Sequence, residues 1–207
     1  MAEIMLATRN GGKLAELVEL LAGTGLEVSS LADHPEIPDV VEDGESFLAN
    51  ARKKARAAAG GGRWTLADDS GLAVEALGGA PGVLSARYAG EQGNHAANNA
   101  KLLSEMEEVP DGRRGAAFVC TMVLISPDGR EWAAEGRCEG EIARGPSGSG
   151  GFGFDPLFFV PSEGMTMAEL PMGRKNAISH RGRALRRVKE ILLAELKEGK
   201  KSQGSGA

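Results

Sequence analysis

The stretch Ala67-Asp68-Asp69-Ser70-Gly71 places two neighbouring carboxylates between two apolar runs, residues 64–67 and 72–74. Ionised carboxylates are costly to place at the end of a buried strand unless a metal ion, hydrogen bonds or a cation compensate them. A magnesium ion facing a phosphorylated ligand meets that need, because Mg2+ prefers carboxylate and phosphate oxygens. The alternative is an ordinary turn, since Asp, Ser and Gly are common turn residues. The five residues alone leave both interpretations open.

Length, charge and cysteine content limit the classes of protein that fit this sequence. With 207 residues the chain is long enough for one sizeable core, so we expect a single domain over residues 1–198 and a disordered tail at 199–207. The formal net charge of −5 argues against a general nucleic-acid or membrane-surface binder. Cys120 and Cys138 are too few for a disulfide framework. Without a basic leader or a long apolar run, the sequence predicts a soluble, cytoplasmic protein.

A polar loop from Thr8 to Lys13 joins a short apolar strand, residues 4–7, to an amphipathic helix. Asn10 is a suitable helix cap, and the two following glycines let the backbone approach a ligand whose phosphate meets the free N–H groups of the first turn. Lys13 would then reach a phosphate oxygen. The spacing is not that of a P-loop, and an ordinary capped helix start is the alternative.

A second polar helix is predicted from a cap at Asp43 or Ser46 to about residue 59. Asn50 and Lys54 share one face of it, where a purely structural helix would carry an apolar stripe. We interpret both side chains as facing a cleft, and Glu42 as a second carboxylate available to a metal shared with the acidic pair. A solvated charged helix is the alternative.

The remaining regular elements predict a mixed α/β structure. Residues 26–31 indicate a strand, residues 91–109 a helix, and residues 116–125 the first strand of a hairpin that continues to about residue 142. These segments carry no visible chemistry, and we assign them to the scaffold.

A glycine-rich segment, residues 145–156, contains two aromatic rings and an acid. Phe152 or Phe154 is suited to stack on a flat ring, while Asp155 or the nearby backbone hydrogen-bonds the edge of that ring. The alternative is a surface loop pinned by its phenylalanines.

Basic residues are concentrated in residues 174–189 of a chain that is acidic as a whole. RNA binding and a solvated helix face are two interpretations of this segment. We favour a third, in which Lys175, His180 and Arg181 enter the cleft and the other basic side chains are solvated.

The combination and order of these motifs resemble the inosine triphosphate pyrophosphatase family, also called Ham1-like or non-canonical purine NTP pyrophosphatases, over residues 3–196. The segments that carry the resemblance are Thr8-Arg9-Asn10-Gly11-Gly12-Lys13, Glu42-Asp43-Gly44 with Phe47, Asn50-Ala51 and Lys54-Ala55, Leu66 to Leu72, Gly151-Phe152-Gly153-Phe154-Asp155-Pro156, and Ile178-Ser179-His180-Arg181. The family commonly has acidic residues just before the lysine equivalent to Lys175, whereas Gly173 and Arg174 stand there in this chain. That departure concerns the local loop conformation.

The resemblance implies an α/β fold with an elongated mixed sheet, two lobes enclosing a central nucleotide cleft, and a homodimer. It implies Mg2+-dependent hydrolysis of ITP, dITP or XTP to the monophosphate and pyrophosphate, a reaction that cleanses the nucleotide pool. By the same resemblance Asp69 is the proton acceptor and a metal ligand, assisted by Glu42 and Asp68. The implied substrate-binding residues are Thr8, Arg9, Asn10, Gly11, Gly12, Lys13, Lys54, Ser70, Phe152, Gly153, Phe154, Asp155, Lys175, His180 and Arg181.

Selectivity would follow if Arg181 and nearby N–H groups donate to the 6-position of the purine. A 6-oxo group accepts such bonds, whereas the 6-amino group of adenine places donor against donor. Three other functions stay open at this point: a nucleotide sensor without turnover, an RNA-binding module, and a related pyrophosphatase for modified pyrimidine nucleotides. The Phe-Gly-Phe-Asp and Ser-His-Arg segments disfavour the last of these.

Overall fold

The computed structural model describes the backbone of residues 2–204 and the side chains of residues 2–198. Within this range seven strands form one mixed sheet in the order β2-β1-β3-β4-β5-β6-β7. The strands are β1 Glu3–Leu6, β2 Glu27–Ser30, β3 Trp64–Val74, β4 Gly115–Ile125, β5 Glu131–Ile142, β6 Phe158–Val160 and β7 Met165–Thr166. The helices are α1 Gly11–Leu21, α2 Phe47–Ala58, α3 His95–Glu105, α4 Met172–Ile178 and α5 His180–Gly204. The predicted α/β class, with a mixed sheet flanked by helices, is confirmed.

Strand pairing changes from parallel to antiparallel across the sheet. Strand β1 runs parallel to both β2 and β3, whereas β3, β4 and β5 are long antiparallel neighbours. The predicted hairpin is β4 and β5, joined by the turn at residues 126–130. Ile4, Met5 and Leu6 of β1 are all fully buried, so both faces of this strand are covered, as expected for a strand with helices on both sides.

The acidic pair does not lie at a strand end or in a turn, so both of those interpretations of its position were wrong. Asp68 and Asp69 lie in the middle of β3 and pair with Met122 and Thr121 of β4. This long register supplies backbone hydrogen bonds that outweigh the local turn preference of Asp, Ser and Gly. Strand β1, however, pairs with β3 only as far as Leu66. The two carboxylates therefore lie just past the carboxyl end of β1, the edge at which open α/β sheets bind ligands.

Gly71 serves close packing in this strand rather than a turn. A Cβ atom built on it would lie 2.4 Å from the carbonyl oxygen of Gly82 and 2.4 Å from Ser85 Oγ. These two residues belong to the 3-10 segment Gly82–Arg87, which contacts β3 directly. Any side chain at position 71 would push that segment away from the strand.

Three clusters of buried apolar residues hold the helices against the sheet. One joins β1 to α1 and α5 and includes Ile4, Leu17 and Leu185. A second joins the other face of β1 to α2 and includes Met5 and Ala55. The third lies where the end of β3 pairs with the start of β4, and it includes Leu72, Phe118, Phe154 and Phe158. Apolar residues 14, 17, 18 and 21 are spaced as on one face of α1, yet Val18 is 45% exposed and Glu16 is buried.

Two boundaries differ from the prediction. Helix α3 covers only residues 95–105 of the predicted 91–109. The Asn94 side chain caps its start by accepting a hydrogen bond from Ala97 N at 3.0 Å, and Met106 is the residue that ends it. Helix α5 continues to Gly204, into the stretch predicted to be a tail, and residues 205–207 of that stretch lie outside the described residues. No helix within residues 2–204 combines the length and apolar character needed to cross a bilayer.

Candidate active site

A cleft of about 530 Å³ opens at the carboxyl end of β1 and collects most of the predicted site residues. Those that line it are Thr8, Arg9, Asn10, Lys13, Glu42, Lys54, Asp69, Ser70, Phe152, Gly153, Phe154, Asp155, Lys175, His180 and Arg181. Gly11, Gly12 and Asp68 are not part of the lining. The cleft therefore joins segments from both ends of the chain.

The loop after β1 is shaped by its own polar side chains. Thr8 Oγ1 accepts a hydrogen bond from Asn10 N at 3.1 Å, and Asn10 Oδ1 accepts one from Lys13 N at 3.0 Å. Asn10 thus caps α1, as predicted. The ammonium of Lys13 turns back toward the sheet and lies 3.0 Å from Asp68 Oδ2.

Arg9 differs from its neighbours in this loop because its guanidinium is directed away from the capped helix start. Nε donates to Asp39 Oδ1 at 2.7 Å, Nη1 to the carbonyl of Leu31 at 2.7 Å and Nη2 to the carbonyl of Ile37 at 2.8 Å. All three nitrogens are therefore engaged by the segment that follows β2.

Asp69 faces α2. Its Oδ2 accepts a hydrogen bond from Asn50 Nδ2 at 3.0 Å, and its Oδ1 lies 3.4 Å from Lys54 Nζ. Glu42 Oε2 approaches the same Nζ at 3.2 Å. Burial raises the pKa of Asp69 to about 6, with Lys54 and Lys13 opposing the rise and Glu42 adding to it. Burial alone would lower the pKa of Lys54, but the negative charges of Asp68, Asp69 and Glu42 together raise it.

Asp68 faces the other side of the strand, toward α1 and α5. Its Oδ2 contacts Lys13, lies 3.6 Å from Arg181 Nε and is 3.9 Å from Cys120 Sγ. Burial alone would raise its pKa, but Lys13, Arg181 and Lys54 together hold the pKa of Asp68 far below its ordinary value. Burial, followed by the Asp68 charge, raises the pKa of the Cys120 thiol to about 12. At neutral pH Asp68 is therefore an ionised counter-ion, and the neighbouring Cys120 is a protonated thiol.

The donor set that could hold a divalent metal is Glu42 and Asp69. Both carboxylates approach one cation, Lys54 Nζ, so a small ion between them would be within reach of each. Mg2+ accepts such a set, because it usually takes one or two carboxylates together with water and substrate phosphate. Among the described residues, no three His, Cys, Asp or Glu side chains gather into a metal-binding group. Asp68 is engaged by Lys13 and Arg181 on the opposite face.

Glu16 is a site residue that sequence reasoning missed. It lies on α1, is 1% exposed, and pairs with Lys175 Nζ at 2.7 Å and with Arg181 Nη1. A carboxylate buried this deeply is stable only with such partners. One signal could have found it: Glu16 stands three residues after Lys13, on the face of the helix that the phosphate loop begins.

The glycine-rich segment places an aromatic ring over the cations of the cleft. The centroid of Phe152 lies 5.2 Å from Lys175 Nζ and 5.5 Å from Arg181 Cζ. Asp155 Oδ2 holds the loop by accepting hydrogen bonds from Phe152 N and from Lys175 Nζ, both at 2.8 Å. A Cβ atom on Gly12 would lie 2.7 Å from Phe152 Cδ1, so this ring rests directly on the loop after β1.

Gly153 and Phe154 occupy the wall behind that ring. Gly153 O accepts a hydrogen bond from Asn99 Nδ2 at 3.1 Å, which links the segment to α3. Phe154 is 4% exposed and meets Tyr88 edge to face with ring centroids 6.5 Å apart. Phe154 therefore combines a core contact with a place in the cleft lining, and Phe152 is the ring more open to a ligand.

His180 and Arg181 reach the cleft from the start of α5. The imidazole of His180 stacks on Phe118 with centroids 4.8 Å apart, and burial, reinforced by Arg181 and Lys175, holds its pKa well below the ordinary value. The ring is therefore neutral at pH 7. Arg181 donates to Glu16 through Nη1 and to Ser70 Oγ through Nη2 at 3.0 Å. Two of its nitrogens are thus committed to the protein, which limits the donors that it can offer to a purine.

Gly173 and Arg174, which stand where the family commonly has acidic residues, do not displace Lys175 from the cleft. Arg174 points outward and pairs with Glu163, with Nε 2.9 Å from Oε2. Lys175 follows in the same short helix, α4, and is 3% exposed. Other basic side chains of this region are also engaged, since Arg183 donates to the carbonyl of Arg137 and Arg187 to that of Glu135.

Comparisons with known proteins agree on one family. The model of the Ham1 family matches residues 4–191. A protein of Geobacter sulfurreducens named dITP/XTP pyrophosphatase is 54% identical over 193 residues, which is 93% of this chain and 97% of that protein. The structure of a HAM1 protein from Coxiella burnetii superposes with a TM-score of 0.84 at 44% identity, covering 94% of this chain and all of the other.

A further solved structure extends this agreement. It is described as a nucleoside-triphosphatase, dITP/XTP pyrophosphatase, from Mycobacterium abscessus, and it superposes with a TM-score of 0.71 at 49% identity. It covers 90% of this chain, and this chain covers 98% of it. Sequence and structure match over nearly the whole length, and the predicted resemblance is confirmed: this chain belongs to the Ham1 family.

Proposed function

We propose that this chain hydrolyses the non-canonical purine nucleotides ITP, dITP and XTP to the monophosphate and pyrophosphate. The observation that carries the proposal is a buried carboxylate, Asp69, with a pKa of about 6 in a cleft that also holds several cationic side chains. Perturbed carboxylates in clefts are characteristic of acid–base sites. The names of the relatives from Geobacter sulfurreducens and Mycobacterium abscessus support the same reaction.

The phosphate groups would occupy the end of the cleft near α1 and α2. Lys13 and Lys54 line it there, and each is paired in the structure with a carboxylate of β3. A triphosphate would compete for these ammonium groups and for the free N–H groups at the start of α1. Neutralisation of charge on the departing pyrophosphate is the role that we assign to both lysines.

Asp69 is the proton acceptor in this proposal. In the metal-free chain, with a pKa of about 6, its carboxylate is mostly ionised at pH 7 and basic enough to accept a proton; the role assigned to it is to accept one from the water that attacks the α-phosphorus. Asn50 fixes the orientation of the carboxylate through Oδ2. Mg2+ bound by Glu42 and Asp69 would polarise the phosphates and lower the pKa of a coordinated water. Lys54 would then be free to pair with phosphate oxygens.

The purine would lie against Phe152, with its 6-position near His180 and Arg181. Among the described side chains, His180 Nδ1 is buried without a hydrogen-bond partner; Arg181 Nε also makes no hydrogen bond but lies 3.6 Å from Asp68 Oδ2. A 6-oxo group can satisfy a buried donor, whereas the 6-amino group of adenine leaves a donor facing a donor. Recognition through these atoms therefore favours inosine and xanthosine over adenosine nucleotides.

The proposed function also bears on the domain organisation, oligomeric state and location of the chain. We infer one working domain over residues 1–198, because the site draws residues from α1 through α5. A homodimer in the cytoplasm, without a stable nucleic-acid or membrane partner, is the setting in which we place it.

The decisive experiment is a product assay with Mg2+ that compares ITP, dITP, XTP, GTP and ATP. It must separate pyrophosphate from orthophosphate. We expect pyrophosphate from the inosine and xanthosine nucleotides, little product from ATP or GTP, and no turnover in the presence of a metal chelator. Orthophosphate would mean cleavage of the terminal phosphate and a different mechanism. Tight ITP binding with no product would favour a nucleotide sensor.

A further inference from the structure

Glu42 lies in a connecting segment, residues 31–46, that contains neither helix nor strand and joins β2 to α2. A carboxylate on such a segment has no regular element to set its position. A functional group must nevertheless be held within about 0.5 Å of its working geometry. The contacts that fix the connecting segment therefore determine where Glu42 can act.

Arg9 holds the first half of the connecting segment. Its three guanidinium nitrogens reach the carbonyls of Leu31 and Ile37 and the carboxylate of Asp39, all within 2.8 Å. The two carbonyls are six residues apart in sequence, so one side chain closes this part of the segment into a compact loop. The planar fork of an arginine suits three acceptors in different directions, whereas a lysine ammonium would act from a single point.

The second half is held by side chains of other elements. Arg87 Nη2 donates to the carbonyl of Glu42 itself at 2.9 Å. Lys53 Nζ donates to the carbonyl of Val41 at 2.9 Å, and Asn50 Oδ1 accepts from Gly44 N at 2.7 Å. The backbone on both sides of Glu42 is thereby tied to α2 and to the 3-10 segment Gly82–Arg87.

We propose that Arg9 is a positioning residue, which ties the connecting segment to the loop after β1 and, together with Arg87, keeps Glu42 opposite Asp69. This role differs from the phosphate contact expected of a residue in the Thr8–Lys13 loop. It rests on the proposed function only in taking Glu42 and Asp69 as the metal-binding pair. Because Arg9 is adjacent to the capped start of α1, it also couples the phosphate end of the cleft to the metal-binding carboxylate.

The test compares Arg9→Met, Arg9→Lys and Arg87→Met with a matched control, Arg144→Met. Arg144 also donates to a carboxylate and a carbonyl, those of Asp111 and Glu107, but it lies outside the cleft lining. The first readout is hydrogen–deuterium exchange of the amides of residues 31–46 in the metal-free chain. We expect at least a tenfold faster exchange in Arg9→Met, an intermediate rate in Arg9→Lys, and faster exchange confined to residues near 41–44 in Arg87→Met.

The second readout is Mn2+ affinity, measured by electron paramagnetic resonance without nucleotide. We expect a weakening of roughly three- to tenfold in Arg9→Met and in Arg87→Met, and no change in Arg144→Met. A third readout is the KM for ITP and the inhibition constant of IMP, both measured at a Mg2+ concentration that saturates every variant. Their ratio should stay constant in Arg9→Met, because neither the β- nor the γ-phosphate loses a contact.

Unchanged exchange and unchanged Mn2+ affinity in Arg9→Met would overturn the proposal. So would a selective loss of triphosphate over monophosphate binding at saturating Mg2+, since that result would make Arg9 a phosphate ligand. The exchange measurement is independent of turnover: faster exchange in a chain that hydrolyses no nucleotide would retain the positioning role and reject the proposed function.

Discussion

Asp68 and Asp69 are neighbours on one strand, yet the two faces of the sheet give them opposite properties. Asp68 faces α1 and α5, where Lys13 and Arg181 hold its pKa far below the ordinary value. Asp69 faces α2, where burial raises its pKa to about 6 and one ammonium, that of Lys54, is shared with Glu42. The alternation of side chains along a strand is enough to separate them.

The comparison shows that the cationic neighbours of a buried carboxylate, and not its amino-acid type, determine whether its pKa suits proton transfer. Asp68 has two close cationic partners and cannot take up a proton near neutral pH. Asp69 shares one such partner and so keeps the capacity to exchange protons or bind a metal. We therefore assign charge balance to Asp68 and chemistry to Asp69, and four predictions test this division.

The largest effect should come from Asp69→Asn. The substitution preserves the shape of the side chain and removes the proton acceptor, so we expect turnover of ITP to fall by roughly 10^2- to 10^4-fold with secondary structure intact. Pyrophosphate release and far-UV circular dichroism measure the two quantities. Turnover within tenfold of the original chain would remove Asp69 from the chemistry.

Asp68→Asn should affect stability more than any other change at the acidic pair. It leaves Lys13 and Arg181 facing a neutral amide, and breaking a buried ion pair from one side costs about 3–5 kcal/mol. Urea unfolding at pH 7 measures the free energy of unfolding. An equal loss of stability in Asp68→Asn and Asp69→Asn would contradict the proposed division of roles.

The pH dependence of stability should distinguish the two residues by sign. A raised pKa means that the folded chain binds more protons than the unfolded chain between about pH 4 and 6, so ionisation of Asp69 destabilises the fold as the pH rises through that window. Relative to Asp69→Asn, the metal-free original chain should lose up to about 3 kcal/mol between pH 4 and 7, from a shift of about two pKa units. A lowered pKa works in the opposite direction, and Asp68 should lose its stabilising effect only as the pH falls below about 4.

The pH effect is measured by urea unfolding of the original chain, Asp69→Asn and Asp68→Asn across pH 3–8 with a metal chelator present. A difference between the unfolding free energies of the original chain and Asp69→Asn that stays constant from pH 4 to 7 would mean that the Asp69 carboxyl titrates normally.

Phe152→Ala should have the smallest effect on the reaction, because it should weaken substrate binding without changing the surroundings of Asp69. The ring lies over Lys175 and Arg181, on the Asp68 side of the site. Loss of a stacked aromatic ring costs about 1–3 kcal/mol per base, so we expect a roughly five- to hundredfold higher KM for ITP with kcat nearly unchanged. Steady-state kinetics at several pH values measures both constants. A KM that stays within twofold would return Phe152 to a structural role.

Much of the fold was predictable because its signals are local. The hairpin of β4 and β5 follows from the apolar run of β4 and the Pro127-Asp128-Gly129 turn after it, and the starts of α1 and α2 follow from Asn10 and Ser46 as caps. The placement of the acidic pair within its strand was not predictable, because local turn preference gave way to ten paired residues of β4 that are distant in sequence.

The site residues that belong to recognisable motifs could be predicted from the sequence. Isolated residues that reach the site from elsewhere could not. The cleft lining contains Lys54, Phe152 and Lys175, as the motifs indicate. Glu16 was missed because one glutamate among leucines looks like a solvated position of an amphipathic helix. Its burial depends on Lys175 and Arg181, which approach from the other end of the chain. The orientation of Arg9 was likewise set by acceptors outside its motif.

The pairing of Glu16 with Arg181 spans 165 positions of sequence. During synthesis the buried carboxylate leaves the ribosome long before its guanidinium partner does, so the two halves of the charge cluster cannot meet until the start of α5 has emerged. Such a distant contact forms late, because a long loop must close before it contributes stability. A nascent fragment that ends before α5 therefore lacks His180 and Arg181 of the cleft, and the site can be completed only when the chain is almost fully synthesised.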